Sequence, residues 1–69
     1  MHIETIESEA IKAVGYDGGR RILRVAFHNG KSYEYLGVLP EEYRHFMHAE
    51  SRGAYMNQVI KPKYECREV

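Results

Sequence analysis

Anion binding is the chemistry that the residue types of this 69-residue chain are best suited to perform. Arg20, Arg21, Arg24 and Lys31 crowd into its first half, and such side chains contact phosphates. A second candidate is Ser51-Arg52-Gly53 at a predicted helix start. There free N–H groups point outward, Gly53 lets a phosphate approach the backbone, and Arg52 adds charge. The plainer reading of the same tripeptide is an N-cap, with the glycine easing a tight turn between two helices. His45 and His48 stand three apart on the polar side of a predicted helix. They could share a metal, but no third ligand stands nearby, and a solvated face accounts for them. Cys66 with a histidine would suggest thiol chemistry, yet nothing in the sequence orients such a pair. An enzyme needs a paired acid and base or a nucleophile with an orienter. Neither is present, so no catalysis, cofactor, metal or small-molecule substrate is expected.

The charges cancel, ten basic against ten acidic, which does not by itself recommend a nucleic-acid binder. Their distribution is uneven. Residues 1–10 carry Glu4, Glu7 and Glu9 and no Lys or Arg, whereas residues 11–40 sum to +3. A modestly basic sheet behind an acidic leader can steer an anionic partner, although ordinary surface scatter gives the same sums. A chain this short buries only about 60% of its unfolded surface, so its stability should be marginal without a staple or partner. The lone cysteine forms no internal disulfide and suits a reducing cytosol. The first residues lack the basic start and apolar run of a signal peptide, and no run is long enough for a membrane span. A cytoplasmic protein with no membrane partner is expected.

The elements that must position these residues centre on 23–40. Two alternating apolar runs flank His28-Asn29-Gly30-Lys31, and Asn-Gly between such runs is a strong hairpin signal. The pattern predicts a strand over 10–16, weakened at Gly15, then a turn at Asp17-Gly18-Gly19-Arg20 whose glycines can supply positive φ. Strands over 21–27 and 31–36 follow. Pro40 suits a helix start, with Glu41 and Glu42 facing the positive end of the dipole. Leu39, Tyr43, Phe46 and Met47 form its apolar stripe. A second helix should run from a Ser51 cap to about Lys61, with Pro62 as its stop and Tyr55, Met56, Val59 and Ile60 on its apolar side.

These elements read as an α+β domain, a three-stranded antiparallel β-meander followed by two short helices packed on one face (β-β-β-α-α). Residues 1–9 read as a loose leader or an edge extension, 10–62 as the single domain, and 63–69 as a tail, strand or irregular. The core is predicted to draw on Leu23, Val25 and Phe27, on Tyr33 and Tyr35, on Tyr43, Phe46 and Met47, and on Tyr55 and Val59. Tyr16 and Tyr64 suit core or rim equally.

Loop length decides where Tyr33 and Tyr35 point. In a two-residue Asn29-Gly30 turn they share a face with Arg24, which is an aromatic-plus-arginine platform for single-stranded nucleic acid. In a three-residue loop His28-Asn29-Gly30, Phe27 pairs with Lys31 and both rings join the core. A one-residue slip moves the whole set between faces. The second register is favoured, because the first would bury Glu34 beside Val25 without a partner.

The run Ala10-Ile11-Lys12-Ala13-Val14-Gly15-Tyr16-Asp17, then Leu23-x-Val25-x-Phe27-x-Asn29-Gly30, Tyr33-x-Tyr35 and Val38-x-Pro40, resembles the KTSC domain. So does Ala49-x-Ser51-x-Gly53-x-Tyr55-x-Asn57-x-x-Ile60, and the resemblance covers residues 8–64. That family is named for the C-terminal segment of some lysyl-tRNA synthetases and also occurs as stand-alone bacterial and phage proteins. It has no established activity, and the synthetase context implies RNA as a partner. The chain departs from the family pattern in its tight Asp-Gly-Gly-Arg turn and in lacking a polar cap before Pro40. The expected function is therefore a small non-catalytic module that binds RNA, tRNA or another nucleic acid through a basic surface. The alternative is a protein-interaction or self-associating module using the sheet face that the helices leave bare, where Ile22 and Leu36 would lie.

Overall fold

The structure, a computed structural model, describes residues 2–5 and 10–69. Its hairpin adopts the three-residue loop. The Phe27 N–H donates to the Lys31 carbonyl at 2.9 Å, the Gly30 N–H donates to the Phe27 carbonyl, and Gly30 takes φ +88°. Only glycine enters that region without strain. Val25 consequently faces Tyr33, Leu23 faces Tyr35, and Arg24 faces Glu34. Tyr35 is buried and Tyr33 partly buried against the core, as the favoured register requires.

The sheet has five strands rather than three, in the order β1-β2-β3-β4-β5 and antiparallel throughout. They are β1 (His2–Thr5), β2 (Ile11–Asp17), β3 (Ile22–Phe27), β4 (Ser32–Leu36) and β5 (Cys66–Glu68). The predicted meander is β2-β3-β4, and each end of the chain adds an edge strand to it. Within the leader, His2–Thr5 takes the edge-extension form. Residues 1 and 6–9, also read as leader, lie outside the described residues. The tail folds back so that Cys66 lies opposite Tyr35 and Arg67 opposite Glu34.

The turn between β2 and β3 corrects the expectation about its glycines. The Asp17 carboxylate accepts from the Gly19 and Arg20 N–H groups at 3.1 and 3.2 Å, organising the front of the turn. The left-handed residue that returns the chain to the sheet then falls at Arg21, with φ 58°, and at neither glycine. Such a conformation costs a residue bearing a Cβ roughly 1–2 kcal/mol. Arg21→Gly removes that strain against a smaller entropic loss, so it should stabilise the domain by about 0.5–1 kcal/mol. A thermal melt should then shift upward by about 3–6 °C. An unchanged or lower midpoint would show that the Arg21 side chain compensates its own backbone.

Helix α1 (Pro40–Met47) begins where predicted, without a side-chain cap. Its buried face differs from the expected stripe. Leu39 is 45% exposed, while Glu42 joins Phe46 on the buried side. Ser51 caps the next helical segment, its Oγ accepting from the Ala54 N–H at 3.2 Å. That segment comprises α2 (Arg52–Tyr55), a π-helical turn (Met56–Ile60) and α3 (Lys61–Lys63). It therefore runs through Pro62 instead of stopping there. Within it the Lys61 N–H donates to the Met56 carbonyl, five residues back. The widened π turn relieves the clash that a proline ring makes with the carbonyl four residues earlier.

The core lies between one face of the sheet and these helices. Ile11, Val14, Leu23, Val25, Tyr35, Val38, Phe46, Met56 and Ile60 are fully enclosed. Phe27, Tyr33, Tyr43, Met47 and Tyr55 pack against them as partly buried rim, together with Tyr16 and Tyr64. Val59, expected in the core, is only partly buried and stands outside this cluster. Met56 and Ile60, four apart across the π turn, fill that place.

Candidate functional site

The basic residues singled out from the sequence do not converge. Arg20 and Arg21 are exposed at the β2–β3 turn, whereas Lys31 is exposed at the opposite end of β3. A six-residue strand separates those ends by about 20 Å. Arg24 projects from the sheet face away from the core, where its Nη2 donates to Glu34 Oε2 at 3.0 Å. The Arg67 Nε and Nη2 both reach Glu34 Oε1, at 3.0 and 2.9 Å. Glu34 is thus 7% exposed yet charged, and the two guanidiniums, Arg67 foremost, hold its carboxyl below the usual range. Arg52 turns back to α1, donating from Nη2 to the Met47 carbonyl at 2.7 Å. It caps the C-terminus of that helix with a positive charge. The Nε atoms of Arg24 and Arg52 are buried without a hydrogen-bond partner among the described residues.

A second buried acid, unsuspected from the sequence, ties α1 to the end of the helical segment. Glu42, 9% exposed, accepts from the Tyr55 hydroxyl, from Lys63 Nζ at 2.9 Å and from the Tyr64 hydroxyl at 3.0 Å. The Tyr55 hydrogen bond above all, with the Lys63 and Tyr64 contacts, outweighs burial and depresses the Glu42 carboxyl. The reciprocal bond pushes the Tyr55 phenol up to about 12. All four groups are consumed by one another, and the arrangement is a clamp.

Among the described residues a groove lies between the tip of the β3–β4 hairpin and the helical segment. Two adjoining hollows of about 330 and 340 Å³ share Phe27, Asn29 and Lys61. Gly53, Met56 and Asn57 wall one end, and Tyr33, Tyr35 and Cys66 the other. The Phe27 and Tyr33 rings meet edge to face, centroids 5.9 Å apart, and Lys61 Nζ sits 5.3 Å from the Phe27 centroid. Lys61 forms no salt bridge among the described residues, so its charge is available to a ligand. Lys31 stands at the same end of the sheet, its carbonyl bonded to the Phe27 N–H. Glu68 on β5 lies across the ladder from Tyr33.

Of the predicted binding residues, then, Gly53 lines the groove, Lys31 neighbours it, and Arg20, Arg21, Arg24, Ser51 and Arg52 lie elsewhere. Lys61, Asn29 and Asn57 were not singled out from the sequence. The available signal was helical spacing, since Gly53, Asn57 and Lys61 recur every four residues along one side. His45 and His48 are both exposed, and no three potential ligands converge on a metal site among the described residues. No helix among the described residues is long and apolar enough to cross a membrane.

A five-stranded antiparallel sheet covered on one face by α1 and a π-interrupted helical segment defines a small α+β domain. The chain belongs to the KTSC domain family, whose model matches residues 7–64. A protein of Tsukamurella paurometabola is 39% identical over 64 residues, covering 93% of this chain and 96% of that one. An uncharacterised protein of Stutzerimonas stutzeri is 37% identical over 59 residues, covering 86% and 83% respectively. The crystal structure of the KTSC domain protein YPO2434 from Yersinia pestis superposes with a TM-score of 0.94 at 35% identity, covering 99% of this chain and 96% of that one. KTSC is a domain of uncharacterised function.

Proposed function

We propose that the domain is a non-catalytic module that takes single-stranded nucleic acid, RNA in the first instance, into the groove between hairpin and helix. The observation that carries this reading is the partly buried Phe27–Tyr33 ring pair flanked by Lys61. Partly exposed rings beside a cation with no salt bridge among the described residues offer stacking and phosphate attraction together, the two terms that bind single strands without sequence preference. The dispersed arginines are not needed for it, because Arg24 and Arg67 already serve Glu34 and Arg52 serves α1.

Fluorescence anisotropy of a labelled, unstructured RNA at low and at moderate salt tests this. Binding in about the micromolar range is expected, weakening linearly in log salt. Lys61→Glu and Tyr33→Ala should each weaken it about tenfold, whereas Arg20→Ala should change it little. Failure of the folded protein to bind at low salt would sink the proposal.

A second reading keeps a protein partner or a second copy of this chain. It draws on Ile22 and Leu36, direct cross-strand neighbours on the sheet face opposite the core. An interface there would scarcely respond to salt, and Leu36→Glu would abolish it while sparing the groove.

A further inference from the structure

Charge and shape divide the groove at the same place. Among the described residues Lys61 is the only Lys or Arg that lines either hollow, and no Asp or Glu lines them. Lys61 also belongs to both hollows, as Phe27 and Asn29 do, so this cation stands at the waist where the two adjoin. Its Nζ lies 5.3 Å from the centroid of the Phe27 ring, which is part of the same waist. To one side lie Gly53, Met56 and Asn57, and to the other Tyr33, Tyr35 and Cys66. At about 330 and 340 Å³ each hollow is near the lower limit of ligand sites, about 300–1,000 Å³, which suits one small unit apiece.

The helical segment holds Lys61 at this waist. Gly53, Asn57 and Lys61 recur every four residues, and in an α-helix such residues drift about 40° round the axis at each step. The turn between Asn57 and Lys61 is π-helical, closed by the Lys61 N–H donating to the Met56 carbonyl five residues back. Its wider winding counters the drift, and all three residues line the first hollow.

Resting on the nucleic-acid reading above, we propose that the groove takes a dinucleotide step, one base in each hollow and the linking phosphate on Lys61 between them. A phosphodiester link carries a single negative charge between two uncharged nucleosides, and the groove sets one cation between two hollows in the same order. A mononucleotide brings the anion but fills only one hollow. A longer strand adds nucleotides beyond the second that find neither a hollow nor a further cation in the groove, so it gains only the extra ways of seating two neighbours.

The test is competition against a labelled uridine hexamer on the full chain, at about 0.1 M salt, where charges more than about 10 Å away are screened. The competitors are uridine monophosphate, the dinucleotide UpU, uridine oligomers of three to six residues, and UpU with an uncharged methylphosphonate link. UpU is expected to bind at least about tenfold tighter than the monophosphate, the gain from a second stacked base. Beyond it, affinity divided by the number of adjacent nucleotide pairs should stay constant within about threefold. The uncharged link should weaken UpU about fivefold on the parent chain and leave it unchanged on Lys61→Met, because the charge it removes has no partner there. Equal competition by the monophosphate and UpU overturns the two-base footprint and leaves groove binding standing. So does a tenfold gain with each further nucleotide. A penalty for the uncharged link that persists in Lys61→Met overturns the placement of the phosphate. Failure of the hexamer to bind even at low salt overturns both readings.

Discussion

Glu42→Ala is expected to lower the melting temperature by about 10–20 °C. The substitution strips the acceptor from the Tyr55 and Tyr64 hydroxyls and from Lys63, and empties a site that is 9% exposed. Leaving such donors without partners costs about 2–3 kcal/mol in total, and each kcal/mol moves the midpoint of a domain this size by about 4–8 °C. Glu42→Gln keeps the shape and one acceptor, so its loss should be smaller. The clamp also has a pH signature. The folded carboxyl lies below its ordinary value of 4.5, so its contribution is fully present above that value. The contribution drains away as pH falls through the lower folded value. Melts at about pH 7 and about pH 3 should therefore show the parent chain losing more stability than Glu42→Gln. Glu34, shifted in the same direction, is common to both proteins and cancels in the difference. Parallel losses would mean that the carboxylate charge contributes nothing.

Phe46→Ala should be larger still and leave the domain mostly unfolded at 37 °C. Phe46 is fully enclosed, its ring centroid lies 6.1 Å from that of Tyr55, and it is the residue by which α1 enters the core. Removing a buried phenyl group costs about 3–5 kcal/mol. A domain of this size holds only a few kcal/mol in all, on the order of 0.1 kcal/mol per residue. Circular dichroism should show loss of the cooperative transition in Phe46→Ala and its recovery in Phe46→Leu. A near-parental melt in the alanine variant would mean that α1 contributes little to the core.

The faces of the sheet were legible because one residue made the alternative costly. Glu34 falls on the core face in one register and opposite Arg24 in the other, and the chain adopts the second. The hairpin loop, the α1 start and the Ser51 cap followed from local chemistry of the same kind. The edge strands β1 and β5 were not legible as definite strands. At four and three residues they are too short to show a period of two, and their strand character comes from pairing with β2 and β4. Pro62 misled because a proline normally ends a helix, and the preceding π turn removes the reason.

The site was less legible than the fold. Charge along the chain pointed to the arginines, but two of them had partners fixed by tertiary structure. Arg24 meets Glu34 through strand pairing, and Arg52 meets a carbonyl of the preceding helix. Glu42 reads as a first-turn acid facing the positive end of the helix dipole, and its partners lie 13 to 22 residues away. The groove exists only once the hairpin and the helical segment are side by side, so no stretch of sequence announces it.

Both enclosed carboxylates depend on the end of the chain. Glu34 needs Arg67, and Glu42 needs Lys63 and Tyr64. During synthesis β1 to β4 and α1 leave the ribosome before any of these residues does. The nascent domain therefore carries two acids at core-facing or covered positions without their full complement of donors until 63–67 has cleared the exit tunnel. Packing α1 before that point is opposed by the desolvation of Glu42. The contacts of 63–67 with these two acids are therefore the last charge pairings that synthesis makes available to the domain.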